Sequence, residues 1–597
     1  MIFDELRAIQ LRHGYLPKAE LESLSQRTQI PPYQIHSVAS FYPHFHLSPP
    51  ANAEVLVCAD MSCRLRGACE LRAELARRFA AAKRGDVQLR DVSCLGRCDH
   101  APAAAINDVI FEDVSADQLE ERVRRAMRGE ELQAENRPEA RVTCALDPYG
   151  NGEKYGAIRR LLSTRDYDGV LVALKAAELR GMGGAGFPTW MKWDLVRKQK
   201  DTVKYVVCNA DESEPGTIKD RFILTHLPHL VIEGMMIAGL VTGAKKGILY
   251  IRHEYPLQEE IFGEEVRRCA RSGLLGRKIL GSELEFELEV FVSPGGYICG
   301  EESALLEAIE GHRAEPRNKP PFPGQAGLWQ KPTIINNVET FANVPQILAR
   351  GVDWYESVGA NGSRGRGLKF VGLSGHVNRP GVYEVPMGIS MRDVIFGHAC
   401  GIAGGRALKA FAPSGPSSGF LPASMVDVLL GFKALADAGS MLGSGAIVVC
   451  DDTTCMLDMA LAAVKFYRNE SCGKCVPCRT GSQKMVDLLT RWTQGRVNEA
   501  AYRSDLALLE ELSQAMSLTS ICGLGQIVPA PILSVLKHFR AEVEAHALNG
   551  DCPSGICFSA DARMSELPRA GIRPHGPFTT KDSETNPGER RHPQQSN

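Results

Sequence analysis

Cys472-Gly-Lys-Cys475-Val-Pro-Cys478, with Cys522 further on in Ile521-Cys-Gly-Leu-Gly525, decides how the C-terminal part of the chain is built. Three thiolates at C-x2-C-x2-C spacing on one tight loop can hold three irons of a cubane, and a remote cysteine can hold the fourth. Tetrahedral zinc more often takes two separated C-x2-C pairs, and uninvolved thiols are the bland third reading. The spacing predicts a [4Fe–4S] cluster on Cys472, Cys475, Cys478 and Cys522. Gly473, Gly523 and Gly525 would let backbone N–H groups approach its sulfurs. After Ala446-Ile-Val-Val-Cys450 the pattern is helical, so residues 446–558 are expected to form a helical bundle around the cluster.

A second set of thiols lies far upstream. Cys58-x4-Cys63 and Cys94-x3-Cys98 each follow a predicted strand, and four thiolates from two adjacent loops suit a [2Fe–2S] rhomb, two per iron. A zinc knuckle or a vestigial site is the alternative. Of the 18 cysteines the other ten, among them Cys69, Cys208, Cys299, Cys552 and Cys557, are scattered and read as buried free thiols. Cys552-Pro-Ser-Gly-Ile-Cys557 has a spacing that could bind metal but shows no second pair.

Working outward, 597 residues imply several folded units. The predicted architecture is multidomain, α/β and α. A helical bundle over 1–50 precedes a compact α/β domain over 51–127, with strands near Glu54–Cys58 and Val87–Val92 and an apolar segment from Ala103. A polar linker follows over 128–144. Residues 145–345 interleave apolar strands (Lys204–Cys208, Gly247–Ile251, Glu287–Phe291) with helices, as a Rossmann-like nucleotide-binding domain would. Turn-rich strands from Leu368 to Val385 predict a small β-rich domain over 365–440. The tail from 559 is Pro-, Gly- and Arg-rich and is expected to be disordered.

Composition narrows the function classes. A formal net charge of −2, 44% hydrophobic and 23% charged residues offer no basic field for nucleic acid or a membrane surface. The N-terminus lacks a secretory signal and no apolar run reaches about 18 residues, so a cytoplasmic protein without membrane insertion is expected, with reduced thiols available to metals.

Gly181-Met-Gly183-Gly-Ala-Gly186 matches G-x-G-x-x-G, whose glycines bring backbone amides to a phosphate or ring. The segment before it, Val170 to Leu179, is helical rather than extended, unlike an ordinary dinucleotide fingerprint, and a Gly-rich hinge is the competing reading. Three further segments support a nucleotide site: Cys208-Asn-Ala-Asp-Glu-Ser-Glu214-Pro-Gly216, Gly295-Gly-Tyr-Ile-Cys-Gly300-Glu-Glu302, and Lys319-Pro-Pro-Phe322-Pro with Asn336-Asn337-Val-Glu-Thr340.

With these residues the chain resembles the flavin subunit of respiratory complex I and its counterparts in NAD-reducing hydrogenases and NAD-dependent formate dehydrogenases, from about 145 to 558. The first 125 residues, including Gly14-Tyr-Leu-Pro17 and Ser40-Phe-Tyr42, resemble the small thioredoxin-like [2Fe–2S] subunit of the same complexes. The resemblance implies a thioredoxin-like fold for 51–127 and a β-grasp-like fold for 365–440. It implies FMN on Gly181, Gly183, Gly184, Gly186, Lys192, Asn209, Asp211, Gly300, Glu301, Asn336 and Asn337, and NAD(H) on Phe187, Glu214, Tyr297, Glu302, Lys319 and Phe322. No separate acid–base residue is required. Met182 departs from the arginine usual in the complex I loop, and Trp190 from a common glycine. Fusion of the two modules resembles the diaphorase large subunit of a soluble NAD-reducing hydrogenase. A fused complex I or formate dehydrogenase subunit is the runner-up, and a zinc-stabilised assembly scaffold the reading outside enzymology. The chain lacks the paired Cys-x-x-Cys motifs of a nickel–iron catalytic subunit. Hydrogen chemistry is therefore expected on partners, namely an iron–sulfur diaphorase small subunit and hydrogenase subunits.

Overall fold

Four strands, Tyr205–Ala210 (β5), Lys246–Arg252 (β6), Glu287–Ser293 (β7) and Thr333–Asn337 (β8), form a wholly parallel sheet in the order β7-β6-β5-β8. Parallel strands need helices on both faces, and for that reason β5 and β6 are buried almost throughout, whereas the edge strand β7 alternates and exposes Glu287 and Glu289. The helix Pro228–Thr242 is buried along its whole length. It packs on the helix Val338–Arg350 so closely that a Cβ on Gly234 would lie 2.2 Å from the Phe341 carbonyl oxygen. The strand order reverses between β5 and β8, which opens a crevice at their carboxyl ends, the place where doubly wound sheets bind ligands.

The computed structural model describes residues 2–82, 85–134, 143–360, 366–495, 497–557 and 569–570. The middle of the expected linker (135–142) and nearly all of the expected disordered tail lie outside the described residues. Within that tail, Arg569–Ala570 (β14) pairs in parallel with Asp91–Val92. The N-terminal sheet runs β14-β2-β1-β3-β4, with Ala53–Cys58 (β1), Val87–Val92 (β2), Ala104–Ile106 (β3) and Val109–Phe111 (β4). The apolar segment from Ala103 is two strands. Asn107 and Asp108 take positive φ (49° and 68°) and make a two-residue hairpin, which these side chains tolerate.

Two expectations are corrected. Ala446–Asp451 (β13) does not open the C-terminal bundle. It is the central strand of the β-rich sheet, between Leu368–Gly375 (β9), which pairs with Gly381–Pro386 (β10), and Leu408–Pro416 (β11), which pairs with Leu421–Pro422 (β12). All six of its residues are buried, which a strand covered on both faces requires. Residues 1–50 are also not a bundle set apart. Phe3, Leu6 and Ile9 on one face of Ile2–His13 share a core with Tyr250 and Phe291 of the parallel sheet and with the C-terminal helices. Three short helices cannot bury such a face among themselves.

A buried ion cluster joins the parallel sheet's domain to β9. Lys369 and Lys219 reach Glu339 at 2.6 and 3.1 Å, Lys219 reaches Asp220 at 2.6 Å, and Phe370 N–H donates to Glu339 at 2.8 Å. Two ammoniums face two carboxylates, so Glu339→Ala leaves buried positive charge uncompensated. The expected loss is about 3–5 kcal/mol, read as a lower thermal midpoint, and an unchanged midpoint would show that the cluster is not stabilising.

Candidate flavin, nucleotide and cluster sites

At the β5/β8 crevice lies a cavity of about 430 Å³, a size that suits a cofactor. Asn209 and Asp211 reach it from the end of β5, Asn337 from the end of β8, and Gly300 and Glu301 from the loop after β7. Gly183 and Gly184 also line it. Their loop is closed by Gly181 N–H donating to the Phe187 carbonyl at 2.9 Å and follows the helix Tyr167–Ala176, not a strand. Gly183 approaches Asn337 so closely that a Cβ would lie 2.8 Å from the Asn337 Cβ. Asn337 itself is held by Lys219 at 3.0 Å and Asp220 at 2.6 Å. Asp211 accepts from the Ser213 hydroxyl and keeps a buried oxygen without a partner. A glycine-lined wall and an unsatisfied buried acceptor fit a flavin mononucleotide, whose ring and hydroxyls need both.

The other expected flavin residues stand behind this surface. Lys192 Nζ bonds the Ile335 carbonyl at 2.9 Å and Glu302 at 3.2 Å, Asn336 accepts from the Trp193 indole at 2.9 Å, and Gly186 packs against Phe432. Both departures from the family pattern face away from the cavity. Met182 is buried in the core with its N–H on Thr340, and Trp190 lies under the Lys175 ammonium. The Met182 side chain therefore contributes nothing to the cavity wall.

Of the expected nucleotide residues, Glu214 and Tyr297 line the same cavity. Lys319 is paired with Glu301 at 2.6 Å and Glu302 at 3.4 Å, while Phe187 and Phe322 are half-exposed outside the cavity wall. Burial pushes Asp211, Glu212 and Glu214 each up to about 7. Sequence reading missed Asp220, Ser417 and Ser444. Ser417 N–H and the Ser444 hydroxyl both donate to Glu214 at 3.3 Å, and both come from the β-rich domain. Nothing in their own sequence neighbourhoods signals this role.

The four C-terminal thiols come together. Cys472, Cys475, Cys478 and Cys522 line one small cavity with Ile298, Pro316 and Leu524. Cys475 is drawn down to about 5, chiefly by a hydrogen bond with Cys478, and burial pushes Cys472 up to about 11. Converging thiols with an acidified member fit a cluster that binds thiolates. Ile298 and Leu524 line the flavin-sized cavity as well, so the two sites share a wall.

Cys58, Cys63, Cys94 and Cys98 also converge. Cys94 and Cys98 sulfurs are 3.3 Å apart, and Cys58 is raised by hydrogen bonds to Cys63 and Cys94. Gly216 N–H donates to Cys98 Sγ at 3.2 Å, two residues after Glu214, and Arg252 and Arg221 donate to the Cys94 and Gly96 carbonyls at 2.6 Å. This thiol set is thus bonded directly into the nucleotide-site loop.

Over 408 residues the chain is 44% identical to the second F-type subunit of the NADH-quinone oxidoreductase of Rhizobium meliloti (strain 1021), covering 68% of this chain and 96% of that one. The chain belongs to the F-type flavin-subunit family. Another member at 43% identity is HndC, a subunit of the NADP-reducing hydrogenase of Solidesulfovibrio fructosivorans, with 69% and 83% covered. A solved NAD+-reducing [NiFe]-hydrogenase in the H2-reduced state contains a chain that superposes with a TM-score of 0.81 at 31% identity, covering 93% of this chain and 94% of that one. Family models match residues 1–126 as a thioredoxin-like [2Fe–2S] ferredoxin and 174–346 as the Nuo51 FMN-binding domain. They match 370–421 as an SLBB domain and 458–546 as the NADH-ubiquinone oxidoreductase-F iron–sulfur binding region. This member of the family therefore combines FMN, [4Fe–4S] and [2Fe–2S] domains in one oxidoreductase chain. Among the described residues no single helix is long and apolar enough to cross a membrane.

Proposed function

We propose that this chain is the diaphorase subunit of a cytoplasmic NAD-reducing hydrogenase. In this reading it exchanges hydride between NAD(H) and FMN and passes electrons through its clusters to an iron–sulfur small subunit and hydrogenase subunits. The observation that carries the reading is the wall shared by the flavin-sized cavity and the C-terminal thiol set. Bound FMN would supply two-electron exchange with nicotinamide and one-electron exchange with iron–sulfur clusters. Gly183, Gly184 and Asn337 shape the ring-binding face, while Asn209, Asp211 and Glu301 offer acceptors and donors at its edge. Glu214 and Tyr297 line the space left for nicotinamide, and Ser417 and Ser444 hold the Glu214 carboxylate in place. Lys319, latched to Glu301 and Glu302, supplies positive charge that a dinucleotide phosphate can share. Ile298 and Leu524 exclude water between the two sites.

The solved hydrogenase chain matches 93% of this chain, a span that takes in the fused N-terminal module, and that match supports the hydrogenase reading over a fused complex I subunit. The test is to purify the native complex anaerobically and assay electron donors. Hydrogen-dependent NAD+ reduction is expected. NADH oxidation coupled only to quinone, or NAD+ reduction only by formate, would replace the hydrogenase assignment.

Glu214→Lys is expected to raise the NADH KM, leaving flavin content near that of the parent. Losing a charge-assisted hydrogen bond costs about 1.5–3 kcal/mol, or about ten- to a hundredfold in affinity. An unchanged KM removes Glu214 from the nucleotide site.

A further inference from the structure

The C-terminal loop Cys552-Pro-Ser-Gly-Ile-Cys557 has a second pair of donors after all, brought to it by the fold. Cys455 caps the helix Met456–Glu470 and His546 lies on the helix Arg540–Asn549. Cys455 Sγ stands 3.3 Å from His546 Nε2 and 3.5 Å from Cys557 Sγ, and all four donor atoms, Cys552 included, lie within 4.8 Å of one another. Cys455, His546 and Cys552 are buried and Cys557 is partly so.

We propose that Cys455, His546, Cys552 and Cys557 bind one zinc ion in a closed, tetrahedral Cys3His site. With Zn–S bonds of about 2.3 Å, a tetrahedron places neighbouring donors about 3.7 Å apart, close to the spacing found. A cubane would hold its thiolates on four separate irons, farther apart than this, so the geometry selects a mononuclear ion. The surroundings are arranged as a metal requires. His546 Nδ1–H donates to the Glu542 carbonyl at 2.7 Å, which leaves the Nε2 lone pair facing the thiols. Asp458 N–H donates to Cys455 Sγ at 3.4 Å, which favours the thiolate. Four protein donors leave no open position, so the site is structural, not catalytic.

Its position gives it a task distinct from the electron route. Zinc would fasten the last described loop to the start of Met456–Glu470, the helix whose far end leads directly into Cys472. Asp458, one turn into that helix, also takes a two-pronged bond from Arg64 at 2.6 and 2.5 Å, and Arg64 adjoins Cys63. One ion would thereby brace the helix between the two cluster-binding regions.

Metal analysis of the anaerobically purified, flavin- and cluster-loaded full chain tests this. One zinc per chain beyond the iron is expected, and titration of the native protein with an organomercurial should release it. His546→Ala and Cys552→Ala should each lose that zinc while iron and flavin content stay at parent values. Native protein with full iron and flavin but no stoichiometric zinc would overturn the proposal without any variant being needed. So would zinc retained in both variants, or extra iron that is lost with them in place of zinc.

Discussion

Cys478→Ala is expected to leave NADH oxidation by an artificial acceptor intact while electron delivery to the physiological partner falls to background. Cys478 is one of four thiols converging behind Ile298 and Leu524, whereas the nucleotide-facing residues Glu214 and Tyr297 sit on the other side of that wall. Removing one corner disrupts the cubane but touches nothing at the flavin face. Both rates, measured on one preparation with its flavin content confirmed, separate the hydride step from the relay. Partner-coupled turnover at the parent rate would exclude Cys478 as a relay ligand.

The second large effect is expected from Gly183→Val. A Cβ there meets the Asn337 Cβ at 2.8 Å, and Asn337 cannot retreat because Lys219 and Asp220 hold its amide. Overpacking of this kind costs about 1–3 kcal/mol, or about five- to 150-fold in flavin affinity. NADH oxidation to every acceptor should fall with the flavin, and iron content should not change. Gly181→Ala serves as the control, since its Cβ would find its nearest neighbour at an ordinary 3.7 Å. Equal flavin loss in both variants would mean that the loop fails as a whole, without any specific role for Gly183.

Local patterns read well in this sequence and distant convergence does not. The thiol spacings of Cys58–Cys63, Cys94–Cys98 and Cys472–Cys478 announce short ligand loops, and the apolar runs of β5 and β6 announce buried parallel strands. The helix before Gly181 is also legible, and with it the departure from an ordinary dinucleotide turn. Ala446–Asp451 is open to misassignment because an apolar run does not say which sheet it joins. Ser417, Ser444 and Asp220 carry no local signature: the two serines matter only because the β-rich domain meets the parallel-sheet domain at Glu214, and Asp220 only because the fold brings it to Asn337. The Cys552–Cys557 pair looks incomplete because its partners, Cys455 and His546, reach it through tertiary packing, with no repeated spacing to mark them.

The N-terminal helices also bear on how the chain is made. Phe3 packs edge-on against Tyr42 at 5.1 Å and against Phe291 at 6.2 Å, and its core extends to Ala547. At about 5–20 residues per second, roughly 15–60 s separate the emergence of Phe3 from that of Phe291 on the ribosome. Over that interval the nascent chain holds Phe3, Leu6 and Ile9 against near neighbours such as Tyr42 alone, with Phe291 and the C-terminal part of their core still unsynthesised. A segment made well before Phe291 is thus among the last to be fully covered, and that exposed interval is when holding factors have their opportunity to act.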